Sequence, residues 1–139
     1  MMIVLDTNVV SELSRKNPDG NVIRWATNAN AQQFITAITV GEIVRGVKRL
    51  PDGSRRNEIQ HAVFWQLSNF EYRRGILPFG TEAAWEYGEI VTTRSAMGRP
   101  IHDADAMIAA ICRAHDAPLA TRNQKDFEGA GVELIDPWA

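Results

Sequence analysis

Four carboxylates, Asp6, Glu42, Asp105 and Asp126, stand far apart in the chain yet occupy equivalent places. Asp6 closes the apolar run Met2-Ile3-Val4-Leu5, and Glu42 lies just after the run Phe34 to Ile38. Asp105 opens an apolar helical stretch, and Asp126 lies just after Leu119-Ala120-Thr121. Strand ends and helix starts meet on one edge of a parallel sheet, the edge where α/β folds bind ligands. Carboxylates gathered there repel. Two unit charges about 5 Å apart cost roughly 3 kcal/mol at an effective dielectric of about 20. A hard divalent ion relieves that repulsion, and Mg²⁺ favours a few carboxylates together with substrate phosphate.

Each acid also has a plainer reading. Asp6 can cap the following helix, although Thr7 and Asn8 could do that job without it. Thr39-Val40-Gly41-Glu42 has the pattern of a capping box, in which Glu42 reaches back to the helix start. Both roles are compatible, because that position also projects toward the sheet edge. Asp103 and Asp105 are separated by about 200° of helical rotation, so only one can share a site with Asp6. Ile108, Ala109 and Cys112 follow Asp105 at i+3, i+4 and i+7, which puts Asp105 on the inward stripe and leaves Asp103 to cap or face water. Asn123 and Asp126 sit in a polar loop, from which either reaches a metal or its water.

These positions depend on the elements around them. Met2 to Leu5 reads as a buried strand, apolar on both alternations as interior parallel strands are. Val9 to Lys16 and Val22 to Ala29 read as helices, and Gln33 to Ile38 as the second strand. A helix opens at Thr39 and runs to about Arg49, and an amphipathic one runs from Ser54 to about Phe70. Ile76 to Phe79 is a short strand whose proline suggests an edge. Thr81 to Met97 is helical until Gly98-Arg99-Pro100 breaks it. The helix from His102 or Asp103 to His115 is apolar nearly all round, hence central and buried. Leu119 to Thr121 and Val132 to Ile135 are the last strands, and Pro137-Trp138-Ala139 is a tail. The alternation predicts an α/β fold, a three-layer α/β/α sandwich on a mainly parallel five-stranded sheet.

The totals are those of one soluble domain spanning residues 1–139. Hydrophobic residues make up 45% and charged residues 23%, so disorder is not expected. A net charge of −2 is no blanket signal for nucleic acid, but a small acidic centre can sit among basic residues. Among the cations, Arg122 is nearest the expected site and is the candidate phosphate contact. Cys112 is the single cysteine and reads as a core thiol in a reducing cytoplasm. No run is long enough to span a membrane, and the first apolar stretch meets Asp6 too early for a signal peptide. The histidines His61, His102 and His115 are scattered, which argues against zinc. No G-x-S-x-G, G-x-G-x-x-G or P-loop occurs. Core packing is the default for Trp25, Trp65, Trp85 and Trp138, although four tryptophans exceed what so small a core needs.

Several segments together resemble the PIN-domain ribonucleases of the VapC type, and more narrowly their FitB-like branch. They are Ile3-Val4-Leu5-Asp6-Thr7-Asn8-Val9-Val10-Ser11-Glu12, Ile38-Thr39-Val40-Gly41-Glu42-Ile43, Asp105-Ala106-Met107-Ile108-Ala109-Ala110, Ala120-Thr121-Arg122-Asn123 with Asp126-Phe127, and Asp136-Pro137-Trp138. The likeness spans nearly the whole chain and keeps motif order. It implies a Mg²⁺-dependent endoribonuclease, with Mn²⁺ able to substitute. The substrate would be single-stranded RNA, and the protein the toxin of a toxin–antitoxin pair. It implies a cognate antitoxin, a homodimer, and a toxin–antitoxin hetero-oligomer on operator DNA. Asp6, Glu42 and Asp105 take the catalytic and metal-binding positions. Asn123 stands where some relatives carry an acid, which leaves it or Asp126 to complete the shell or serve a second metal. Thr7 and Arg122 would contact substrate or a metal ligand.

Two other classes use part of the same pattern. A phosphotransfer enzyme also uses sheet-edge aspartates, but the haloacid-dehalogenase pattern needs an acid where Asn8 stands. A non-catalytic, DNA-binding regulatory module acting with a partner protein would use the same acids merely as helix caps.

Overall fold

The central strand is built from residues that gain from burial on both faces. In the computed structural model, which describes residues 1–139, β1 (Met2–Leu5) pairs in parallel with β2 (Gln32–Thr36) on one side and β4 (Leu119–Ala120) on the other. β3 (Ile76–Leu77) adds beyond β2, and β5 (Leu134–Ile135) beyond β4, giving the order β3-β2-β1-β4-β5. All four pairings are parallel, and β3 is an edge strand, as its neighbouring proline suggested.

Alternation along the strands divides the core in two. Val4, Phe34 and Leu119 point into one hydrophobic cluster with α5 (Thr81–Ala96) and α6 (Asp103–Ala114). Ile3, Leu5, Ile35 and Ala120 point into the other. There they meet α1 (Thr7–Leu13), α2 (Gly20–Asn28), α3 (Ala37–Lys48) and α4 (Ser54–Tyr72). Helices on both faces make the expected three layers and explain why the strands are apolar throughout. Ala106 and the run Ile108 to Cys112 in α6 are completely buried, and burial pushes the Cys112 thiol well above its ordinary range. Gly98, at φ +71, takes the left-handed turn that ends α5.

Several boundaries differ from the sequence reading. α1 starts at Thr7 rather than Val9, because Asp6 caps it directly. β2 ends at Thr36 and α3 begins at Ala37, so the chain turns from strand to helix three residues before the anticipated capping box. Gln124–Phe127 forms a short helix, α7, where a polar loop was expected. The tryptophans also depart from expectation: Trp65 is 64% and Trp85 76% exposed, so neither is core. Trp138 is no free tail, since it packs against the second cluster. No helix is long and apolar enough to cross a membrane.

Candidate active site

The chain leaves β1, builds outward through β2 and β3, then returns to add β4 on the opposite side of β1. That reversal opens a crevice beyond the carboxyl ends of β1 and β4, where α/β sheets place their ligands. An open cleft of about 490 Å³ lies here, lined by Asp6, Thr7, Asn8, Ser11, Glu12, Arg15, Glu42, Asp105, Arg122, Asn123 and Trp138.

Asp6 forms its floor and is only 4% exposed. Its Oδ1 accepts from the Thr7 backbone N–H at 2.8 Å, and its Oδ2 accepts from Thr121 Oγ1 at 2.8 Å and more weakly from Asn8 Nδ2 at 3.4 Å. Thr121 Oγ1 in turn accepts from the Asn123 backbone N–H at 3.0 Å. One hydroxyl therefore ties the end of β1 to the turn after β4. Burial raises the Asp6 pKa; the bonds from Thr121 and Thr7 pull it down, and the charges of Glu42 and Asp126 push it up again. Capping and site membership coincide in this residue.

Glu42 reaches the cleft by a route the sequence did not indicate. Its supposed partner, Thr39, is not the cap. Thr36 caps α3, its buried hydroxyl accepting from the Thr39 N–H at 3.1 Å. Glu42 therefore stands in the second turn and is not consumed by capping. Its Oε1 accepts from Thr7 Oγ1 at 2.6 Å, and the same threonine oxygen lies 3.1 Å from Thr39 Oγ1. Thr7 thus joins the start of α1 to α3 and orients Glu42. Thr36→Ala should lower stability by about 1–2 kcal/mol, visible as a lower denaturant midpoint at unchanged slope. An unchanged midpoint would mean that α3 starts elsewhere.

Asp105, in the first turn of α6, is half-buried and faces the cleft. Its pKa is raised from 3.8 to about 6, first by burial and then by the charges of Asp6, Asp126 and Glu42, with His102 opposing. Asp103 points away, exposed, and accepts from the Tyr87 hydroxyl at 2.8 Å. That bond raises the Tyr87 pKa. Asn123 lines the cleft, whereas Asp126 is exposed on α7 and does not, though its charge is felt by both Asp6 and Asp105. Arg122 is exposed at the rim, its backbone N–H donating to Asn8 Oδ1 at 3.3 Å.

Sequence reasoning passed over Ser11, Glu12, Arg15 and Trp138. The first three were detectable: Asn8, Ser11, Glu12 and Arg15 recur at i, i+3, i+4 and i+7, a polar stripe on one helical face. Glu12 is already committed, accepting from the Asp19 N–H at 2.9 Å and pairing with Arg15 at 3.2 Å.

The donors around the cleft are carboxylate and amide oxygens, with no thiol or imidazole among its lining residues, a set suited to a hard cation. No three His, Cys, Asp or Glu side chains close on a single point as placed. The donor chemistry and the net repulsion on Asp105 both fit a divalent metal.

The PIN domain family model matches residues 3–132. This chain belongs to the PIN-domain family. Within it, the protein is similar to the VapC ribonuclease Y4jK of Sinorhizobium fredii, 37% identical over 99% of this chain and 98% of that one. It is 34% identical to the toxin FitB of Neisseria gonorrhoeae over 99% of both chains. The solved structure of FitAB bound to an IR36 DNA fragment contains a chain that superimposes with a TM-score of 0.88 at 32% identity, covering 100% of this PIN domain and 96% of that chain. This PIN-domain chain is of the VapC type, on its FitB-like side, as the motifs suggested.

Proposed function

We propose that the protein is a Mg²⁺-dependent endoribonuclease that hydrolyses single-stranded RNA, acting in the cytoplasm as the toxin of a toxin–antitoxin pair. The observation that carries this is that Asp6, Glu42 and Asp105 all line one open cleft at the topological switch point. The names of the VapC ribonuclease and FitB toxin relatives support the same reading.

In this mechanism Asp6 and Asp105 would hold the cation, with Asn123 completing the shell; Mn²⁺ would fit the same oxygens. When bound, the cation supplies neutralisation of phosphate charge and a lowered pKa for its water. Glu42 takes the proton of the attacking water through the oxygen that Thr7 leaves free. Thr7 fixes the orientation of Glu42 through its 2.6 Å bond. Thr121 keeps Asp6 aimed into the cleft at 2.8 Å. Arg122, exposed on the rim, takes a substrate phosphate, and the openness of the cleft suits a flexible strand whose bases splay. Asp126 lies outside the lining and adds negative charge to the site.

The partners follow from the relatives. A cognate antitoxin would occupy the protein in a hetero-oligomer, itself on operator DNA, as FitAB is found on a DNA fragment. A homodimer of the toxin is the expected unit within that assembly.

The test is cleavage of a labelled single-stranded RNA. Cleavage should require Mg²⁺ or Mn²⁺, stop with EDTA, and resume when excess Mg²⁺ is restored. Cleavage undiminished in EDTA would exclude the mechanism.

A further inference from the structure

Trp138 is the one hydrophobic side chain lining the acidic cleft. Its indole packs against the second core cluster and reaches the cleft as well. Trp25 packs against that same cluster but takes no part in the lining. The segment around Trp138 is tied down. Its backbone N–H donates to Asp136 Oδ1 at 2.9 Å, its carbonyl accepts from Asn21 Nδ2 at 3.1 Å, and Pro137 before it is buried. The Arg122 guanidinium lies over the ring, 5.1 Å from its centroid. A fixed aromatic ring covered by an exposed cation therefore forms one wall of a cleft that is otherwise polar and charged.

A polynucleotide threading this cleft brings two chemistries, phosphates that take cations and bases that take aromatic faces. We propose that Trp138 is the stacking platform for the base of the nucleotide beside the scissile phosphate, with Arg122 exchanging from the indole to the adjoining phosphate as that base arrives; this rests on the ribonuclease reading above. The exchange is favourable because an exposed cation–π contact is weaker than a base stacked on an indole. The released guanidinium is already at the rim of the cleft, one residue from Asn123. Stacking of this kind accepts any base, since every base has a π-face.

The experiment measures binding by proteins carrying Asp105→Asn, so that the strand stays intact in Mg²⁺. The probes are a fluorescein-labelled single-stranded RNA of mixed sequence and the matching abasic ribose-phosphate chain. Trp138→Leu, which keeps apolar bulk against the core, should bind the base-bearing RNA roughly 5- to 100-fold more weakly. Trp138→Phe, which keeps a π-face, should stay close to the parent. Neither substitution should weaken binding of the abasic chain. An equal loss on both chains would assign Trp138 a structural role, and an unchanged affinity of Trp138→Leu for base-bearing RNA would likewise overturn the platform. Cleavage by proteins with Asp105 intact separates the two readings. If the wild type cleaves RNA and Trp138→Leu keeps its kcat/KM, the platform alone fails. If the wild type cleaves no RNA with any divalent metal, both readings fall.

Discussion

Asp105→Asn should reduce RNA cleavage by on the order of a thousandfold and at the same time make the metal-free protein more stable at neutral pH. The two effects have one source. Asp105 is held half-buried against Asp6, Asp126 and Glu42, and its pKa of about 6 records the resulting cost of ionisation. The amide has the same shape and no charge, so the repulsion disappears with it. The loss of activity follows because a neutral amide is a weaker ligand for a hard cation, whose charge stabilisation is worth several kcal/mol in the transition state. A residue retained for structure would change stability downward when altered; opposite signs in the two measurements identify one retained for chemistry. Asp6→Asn should cost as much activity. The double substitution should be scarcely worse than either alone, because both acids serve one ion. Wild-type rates in Mg²⁺ from Asp105→Asn, together with an intact circular dichroism spectrum, would remove Asp105 from the mechanism.

The parts of this site that could be read from sequence are those set by local pattern. β1 and α6 were legible because their apolar residues leave no polar face, which only a doubly covered strand and a central helix tolerate. Asp6 and Asp105 followed, since each is fixed by the end of such an element. The choice of Asp105 over Asp103 needed only helical rotation, and Asp103 is indeed turned outward onto Tyr87. Glu42 was placed at the sheet edge by the apolar run before it, and only the capping box drawn around it proved wrong. Thr36 and Thr39 are three residues apart and both precede an apolar run, so pattern cannot choose between them. The buried hydroxyl at the end of β2 decides it, and burial is a tertiary property. α7 was missed because four residues carry no period to recognise. Trp138 was missed because its contacts lie across the chain, with Asn21 and Arg122. Nor does composition distinguish a tryptophan that seals a core from one left exposed, as Trp65 and Trp85 are.

Saturating Mg²⁺ should raise the Tm, and the rise should grow with pH. In the folded protein Asp105 titrates near 6 and Asp6 is also shifted upward, whereas an unfolded aspartate titrates near 3.8. Between about pH 4 and pH 6 the folded state therefore holds more protons than the unfolded state, and stability falls as pH rises. Below that window the penalty is absent; above it, the Asp105 contribution is complete and constant. On the proposed mechanism Mg²⁺ would bind only the ionised carboxylates of the native state, so its effect should be small near pH 4.5 and large at pH 8. At a hundred times its Kd the linkage is worth roughly 2.7 kcal/mol, on the order of 10 °C for a chain of this size. NaCl at matched ionic strength should reproduce only the part due to general screening. Asp105→Asn should flatten the fall between pH 4 and pH 6 and shrink the Mg²⁺ shift together, since both arise from the same carboxylate. Equal Tm values at pH 8 in saturating Mg²⁺ and in matched NaCl would mean that the acids of this cleft do not act as one cation site.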